Sequence, residues 1–335
     1  MSEKVRSTSR LIVLLCIWLT LLAVSVSISG CISPLSSTPT PAATHVTAFG
    51  EPDGTLATTA QPIDQSGIMA VHFIDVGQGD SILVTYDNKS MLIDGGRQDA
   101  GPALASYLKN EGVSTVDVMV STHPHADHIG GLLTILREFP VKRVVDSGQP
   151  HSSRTYERYL TLIDEKNIPY MVAEMGQFIN LSPAVTIEVL SPPASGIEGD
   201  LNQHSIVLKL SYGNVSFLLM GDAGFAAERD LMITHQPLNS TVLKVGHHGT
   251  KYATSRIFLR EVKPEISVIE VGDNKYGHPA PELLKRLDDI GSKVYRTDIN
   301  GNIVIATDVA TYTVTTQYPA IETYSSPLVR TEAAA

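Results

Sequence analysis

The sequence predicts an α/β fold in four layers, two β-sheets packed face to face with helices on their outer sides, αββα. Three observations carry that expectation. Strand-like apolar runs and helix-period runs come in two successive blocks, each containing both kinds. A meander of strands opens the first block before helices begin to alternate with strands. Four ligand-type side chains are crowded into six residues, His123-Pro-His125-Ala-Asp127-His128, where a hydrophobic strand gives way to a helix.

The elements follow in order. Apolar runs at Met69 to Val76, Ser81 to Tyr86 and Met91 to Ile93 are separated by Gly, Asp and Asn turn signals and read as the meander. A helix is expected from Pro102 to Glu111, a buried strand from Val116 to Val120, and a helix from near Asp127 to before Pro140. A strand at Arg143 to Val145, a helix at Thr155 to Lys166 and strands at Tyr170 to Val172 and Val185 to Leu190 complete the first half. The second half has strands at Ile206 to Leu210, Val215 to Met220, Val242 to Val245 and Ile266 to Glu270. Helices are expected at Phe225 to Thr234 and after Pro281, and a hairpin, Asn302 to Ala306 with Thr311 to Thr315, closes the chain.

At 335 residues, 43% hydrophobic and 18% charged, the chain is long enough for one large domain or two small ones. Its net charge of −10 excludes a surface that grips nucleic acid through broad positive potential, so any bound polyanion needs locally placed cations. Residues 1–31 read as a signal peptide: Lys4, Arg6 and Arg10 precede an uncharged apolar run from Leu11 to Ile28, which ends in Ser29-Gly30-Cys31. That ending resembles the lipobox of prokaryotic lipoproteins, which implies cleavage before Cys31 and lipidation of its thiol. The run is also just long enough for a retained anchor helix. Both readings place the body on the outer face of the membrane or beyond it, because the basic residues precede the apolar run.

Residues 32–66, rich in Ser, Thr and Pro, read as a flexible tether, 67–318 as the folded domain and 319–335 as a tail. Only Cys16 and Cys31 are present, so metal ligands in the body must be His and carboxylate.

Alternation along an extended chain aims His123 and His125 the same way, and Asp127 and His128 at the helix start face the same space. A single His is ordinarily structural or solvent-facing, and His72, His151 and His235 are read so. Four ligand-type groups at this spacing point to metal.

The run resembles the H-x-H-x-D-H signature of the metallo-β-lactamase superfamily, and further matches fall in the family's chain order. Asp94, in Met-Leu-Ile-Asp-Gly-Gly, resembles the aspartate that orients the ligands from behind. Asp222, in Leu-Leu-Met-Gly-Asp, resembles the carboxylate that bridges two metals, and His278 the late histidine ligand. The resemblance implies a metal set of His123, His125, Asp127, His128, Asp222 and His278 holding two divalent ions, with Zn²⁺ suited to the histidines and Mn²⁺ also accommodated. The usual histidine motif between the first cluster and Asp222 is absent. His204, in Asn-Gln-His-Ser, is a candidate for that place, as is no ligand at all.

Two more motifs, Asp75-Val-Gly-Gln-Gly-Asp80-Ser81 and Leu243-Lys244-Val-Gly-His247-His248-Gly-Thr250, are similar to the hydrolase domain of the ComEC family. That resemblance implies a phosphodiesterase acting on DNA, single-stranded DNA foremost. A hydrolase of small esters, lactones or β-lactams and a non-catalytic surface binding module are the alternatives. His247 and His248 are expected to supply a catalytic proton, with strand alternation favouring His248 as the one facing the metals and Asp127 counted with them as catalytic. Asp80, Ser81, Lys244 and Tyr276 are expected on the substrate side, although the Asp75 to Ser81 loop reads equally as a plain tight turn.

Overall fold

Residue alternation along each strand settles which side chains meet. The computed structural model describes residues 67–196 and 200–319; the signal segment with Cys31, the tether and nearly all of the tail lie outside the described residues. The chain runs β1 (Met69–Phe73), β2 (Ile82–Tyr86), β3 (Lys89–Ile93), α1 (Gly101–Asn110), β4 (Val118–Ser121), α2 (Ala126–Ile129), α3 (Leu132–Glu138), β5 (Val144–Asp146), α4 (Arg154–Glu165) and β6 (Tyr170–Val172). It continues through β7 (Thr186–Ser191), β8 (Val207–Tyr212), β9 (Val215–Leu219), α5 (Phe225–Ile233), β10 (Val242–Lys244), α6 (Arg256–Val262), β11 (Ile266–Ile269), α7 (Pro281–Asp288), β12 (Lys293–Arg296), α8 (Thr297–Asn300), β13 (Ile303–Thr307) and β14 (Tyr312–Thr316).

Two sheets result, ordered β14-β13-β1-β2-β3-β4-β5-β6 and β12-β11-β10-β9-β8-β7. Each begins antiparallel and turns parallel: β3 to β6 run parallel in the first sheet and β9 to β12 in the second. Three apolar cores make four layers of them. In β2, Ile82 and Val84 point between the sheets while Leu83 points out under α1, α3 and α4. In β10, Val242 points between the sheets and Leu243 points out under α5, α6 and α7. Burying each such side chain contributes roughly 1.5–3 kcal/mol.

Three local expectations are corrected. The closing hairpin joins the first sheet, β13 lying antiparallel to β1 with His72 opposite Val304. Its neighbours in sequence lie in the other sheet, and that choice of sheet leaves no local signal. The helix expected from Asp127 to Pro140 is two helices: Gly130 and Gly131 keep helical dihedrals, but the Gly131 amide donates to the Gly96 carbonyl at 2.9 Å instead of to the turn behind it. A Cβ at Gly131 would lie 1.9 Å from the Gly95 carbonyl oxygen, so the break lets the loop after β3 touch the helix backbone. β12 is an added short edge strand, whose Lys293 and Arg296 ends mask its period in the sequence.

Candidate metal centre

Parallel strands place their carboxyl ends on one edge of a sheet, the edge where α/β proteins gather ligands. Here both sheets do so together. Asp94 follows β3, Thr122 and His123 follow β4, Asp222 follows β9, the Gly246–Gly249 turn follows β10 and Glu270 follows β11.

Asp94 is the pivot of the first half. Its backbone is left-handed, φ 57°, a conformation that aims the carboxylate across at β4. One oxygen accepts the Thr122 amide at 2.8 Å, and the other accepts the Thr122 hydroxyl at 2.6 Å and lies 2.8 Å from His128 Nδ1. With Nδ1 facing Asp94, His128 turns Nε2 toward Asp222 Oδ1, 3.3 Å away. His123 sits beside this pair, wholly buried, with Nε2 3.0 Å from His125 Nδ1 and 3.7 Å from Asp222 Oδ2.

The second half supplies Asp222 and two histidines. His247 and His248 were expected to alternate as on a strand, only one facing the metals. The backbone contradicts this: both residues are left-handed, φ/ψ 49°/53° and 52°/22°, inside a 3-10 turn, and both imidazoles reach the same carboxylate. His247 Nε2 lies 3.7 Å from Asp222 Oδ2 and His248 Nε2 3.5 Å from Asp222 Oδ1. His248 Nε2 is also 3.7 Å from Asp127 Oδ2. Asp222 therefore stands between two sets of groups, its Oδ2 toward His123 and His247, its Oδ1 toward His128 and His248.

Behind His248 lies a buried charged cluster that a substrate cannot reach. Asp80 Oδ1 is 3.2 Å from His248 Nδ1, and Lys244 Nζ is 2.6 Å from Asp80 Oδ2 and 4.0 Å from Glu270 Oε2. Asp80, Ser81, Lys244 and Glu270 are all at most 2% exposed. The expectation that Asp80, Ser81 and Lys244 contact substrate is therefore corrected. Lys244 shares the inward face of β10 with Val242, so its stem is buried between the sheets and its ammonium meets carboxylates. The glycines around Asp80 also have a packing role: a Cβ on Gly79, φ 145°, would lie 2.2 Å from the Asp127 carbonyl oxygen. Of the residues expected on the substrate side, Tyr276 alone is exposed, at 65%.

The other site expectations are redistributed as well. The group that joins Asp127 and His128 is His248, all three ligand atoms lying within 4.8 Å of one another. His278 stands one layer further out, its ring 5.8 Å from that of His247. His204 turns Nδ1 to the Asp200 carbonyl at 3.0 Å, and its neighbour Ser205 enters the site instead. Ser205 Oγ accepts the Asp222 amide at 3.1 Å and lies 3.4 Å from His123 Nδ1. Ser205, Thr122 and Glu270 carry no ligand signature and were missed, although Ser205 was visible in the Asn-x-x-Ser spacing. His151, read as structural, brings its ring within 5.8 Å of that of His125.

The electrostatics of this cluster ask for a cation. Burial opposes charge on His248, but Asp222 and Asp80 outweigh it and push its pKa up to about 10. His128 is raised well above the usual range in the same way, by Asp222 and Asp94 against burial. Burial would raise Asp222, yet His248 and His128 hold it well below the carboxylate range. Burial and the neighbouring His128 keep His123 well below its ordinary value. His278 is lowered to about 4, first by burial and then by His247.

Three buried atoms in this space, His128 Nε2, His248 Nε2 and Asp222 Oδ1, have no hydrogen-bond partner. Such atoms are costly unless something binds them. His123, His128 and Asp222 form one group of convergent donors, and Asp127, His128 and His248 another. All are nitrogen or carboxylate oxygen, the donor set of a dinuclear divalent site.

The family model described as metallo-beta-lactamase superfamily matches residues 74–272. ComE operon protein 3 of Bacillus subtilis is 31% identical over 252 residues, which cover 70% of this chain and 32% of that protein. Recombination protein 2 of Haemophilus influenzae is 28% identical over 239 residues, covering 70% of this chain and 28% of that one. The chain thus spans about a third of the length of these relatives. The crystal structure of the metallo-beta-lactamase fold protein YhfI from Bacillus subtilis shares the fold, with a TM-score of 0.50 and 13% identity over 71% of this chain and 100% of that one. With its donor set, its family match and its ComEC-like relatives, the chain belongs to the metallo-beta-lactamase superfamily and is a metal-dependent hydrolase.

Proposed function

We propose that the chain is an extracytoplasmic phosphodiesterase that cleaves DNA, single-stranded DNA foremost, using two Zn²⁺ ions or, in their place, Mn²⁺. One observation carries the reading: Asp222 presents one oxygen to His123 and His247 and the other to His128 and His248, beside a groove open to solvent. The similarity to ComE operon protein 3 and to a protein named for recombination supports DNA as the substrate. The lipobox-like ending at Cys31 supports anchorage at the outer face of the membrane.

His123, His125 and Asp222 would hold one ion, and Asp127, His128, His248 and Asp222 the other. When bound, the pair supplies an activated water and neutralises charge that builds on the phosphoryl oxygens. The chain's own residues do the rest. Asp94 fixes the ring of His128, and the Glu270 carbonyl, 3.0 Å from His248 Nδ1, with Asp80 Oδ1 at 3.2 Å, fixes that of His248, each with Nε2 turned inward. His247, at 31% side-chain exposure the most open histidine next to Asp222, delivers a proton from Nε2 to the departing oxygen.

Full-length protein in detergent with Zn²⁺ or Mn²⁺ is expected to cleave single-stranded DNA, and His125→Ala to abolish cleavage. Intact DNA after incubation of the wild type with both metals, or turnover of nitrocefin or a lactone with no cleavage of DNA, would overturn the proposal.

A further inference from the structure

We infer that the groove beside Asp127 is a nucleotide subsite, in which Arg97 takes a phosphate flanking the scissile one and Tyr276 takes a base. The inference rests on the phosphodiester reading above and adds what holds the substrate. The groove encloses about 680 Å³, and Gln78, Arg97, Gln98, Asp127, Thr155 and Tyr276 are among the residues lining it. That is the scale of a small-molecule site, ~300–1,000 Å³.

Arg97 is the one cation among the lining residues, which also include the carboxylates Asp99 and Asp127. Its Nε is 3.3 Å from Asp99 Oδ1, with both side chains more than 60% exposed. A pair this exposed is weakly held, so the guanidinium can turn onto a phosphate, whose two oxygens match its fork.

Tyr276 is the one aromatic ring lining the groove, and behind it a chain of rings leads inward. Ring centroids step from His247 to His278 at 5.8 Å and from His278 to Tyr276 at 5.7 Å, leading from Asp222 out to the mouth of the groove. Lys275 Nζ lies 5.7 Å from the Tyr276 centroid, which places a positive charge beside the ring. An exposed tyrosine next to a cation is what single-stranded nucleic acid stacks on. The amides of Gln78 and Gln98 offer donors and acceptors without charge, suited to sugar and base edges. The lining therefore provides for one phosphate and one ring, local recognition that suits a chain with a net charge of −10.

The test uses full-length, metal-loaded protein and two substrates: a short oligothymidylate and bis(p-nitrophenyl) phosphate, which has no flanking phosphate. A phosphorothioate form of the oligonucleotide measures binding by fluorescence anisotropy. Tyr276→Ala is expected to weaken oligonucleotide binding roughly 5- to 100-fold. Arg97→Gln is expected to weaken it about fivefold and to reduce the slope of log affinity against log salt by about 0.7, the signature of one lost phosphate contact on a single strand. In both variants the ratio of kcat/KM for the oligonucleotide to that for the small diester should fall by similar factors. Arg137→Gln, on the far end of α3, should change neither.

If the wild type cleaves both substrates while Arg97→Gln keeps the wild-type salt slope and Tyr276→Ala the wild-type affinity, the subsite is refuted and the phosphodiesterase stands. If the wild type cleaves neither substrate and does not bind the oligonucleotide, the phosphodiester reading falls and the subsite with it.

Discussion

Replacing Lys244 by Met tests the buried cluster behind His248. The ammonium lies 2.6 Å from Asp80 and 4.0 Å from Glu270, with no exposure at all. Removing one partner of a buried pair leaves a charge without compensation, at a cost of about 3–5 kcal/mol. At ~2–4 °C per kcal/mol for a domain of this size, Tm should drop by about 6–20 °C. The loss is assigned to Asp80 and not to Glu270. Burial and then Asp80 push the Glu270 pKa well above the usual range, which opposes a charge there, and Asp80 lies much nearer the ammonium, so Lys244 compensates Asp80 first. Glu270→Gln should therefore cost under about 1 kcal/mol, and Lys244→Met/Glu270→Gln should match Lys244→Met, with coupling near zero. Asp80 and the Glu270 carbonyl both face His248 Nδ1, at 3.2 and 3.0 Å, so disturbing this cluster with Lys244→Met should weaken metal binding ~10- to 100-fold. Thermal denaturation of the EDTA-treated protein and competition with a chromogenic chelator give the two numbers. A double variant clearly more stable than Lys244→Met would show that Glu270 is ionised and would refute the assignment.

Two further outcomes concern pH. His72 is 5% exposed, and burial depresses its pKa to about 4 despite Glu111 at 3.9 Å, because the nearer partner at 2.9 Å is the neutral hydroxyl of Tyr107. A depressed histidine binds its proton more readily in the unfolded chain, so its contribution is intact above about pH 6.5 and declines toward pH 4, by about 3 kcal/mol in all. His72→Gln should remove that part of the slope in urea titrations of the metal-free protein; parallel slopes for wild type and variant would contradict it. His248, raised to about 10, and His128, raised well above its ordinary value, hold a proton more tightly in the metal-free folded protein than in the unfolded chain, a stabilisation that is lost as pH rises through the raised values. Loading the site at pH 7.5 must then expel at least the His248 proton. Calorimetry in buffers of different ionisation heat should show this, and heats independent of buffer would rule it out.

What the sequence disclosed depended on how local each signal was. The run from His123 to His128 was legible because six consecutive residues carry four donors, and Asp94 and Asp222 because each ends a hydrophobic strand in a recognisable motif. The alternating strands gave both sheets and the four layers. The His247-His248 turn was misjudged because strand alternation was applied where the backbone is left-handed, a dihedral choice that no side-chain pattern announces. Lys244 was expected on the substrate side with the Leu243 to Thr250 motif, whereas its place on the inward face of β10, two residues past Val242, puts it in the interior. His278, expected as a ligand from its resemblance to the family's late histidine, stands with its ring 5.8 Å from that of His247. The hairpin β13–β14 belongs to the first sheet through pairing across more than 200 residues, which only the assembled fold displays.

The donors around Asp222 also bear on how the fold is held together. His123, His125, Asp127 and His128 hang from the first sheet, and Asp222 and His248 from the second. Any ion that binds both sets is a rivet across the seam between two separately built halves. It binds only when the halves are in register, so each tenfold rise of free metal above its dissociation constant adds ~1.4 kcal/mol to their union. The catalytic ions would thus serve as a clasp as well, and starving the protein of metal would loosen the seam before it loosened either sheet.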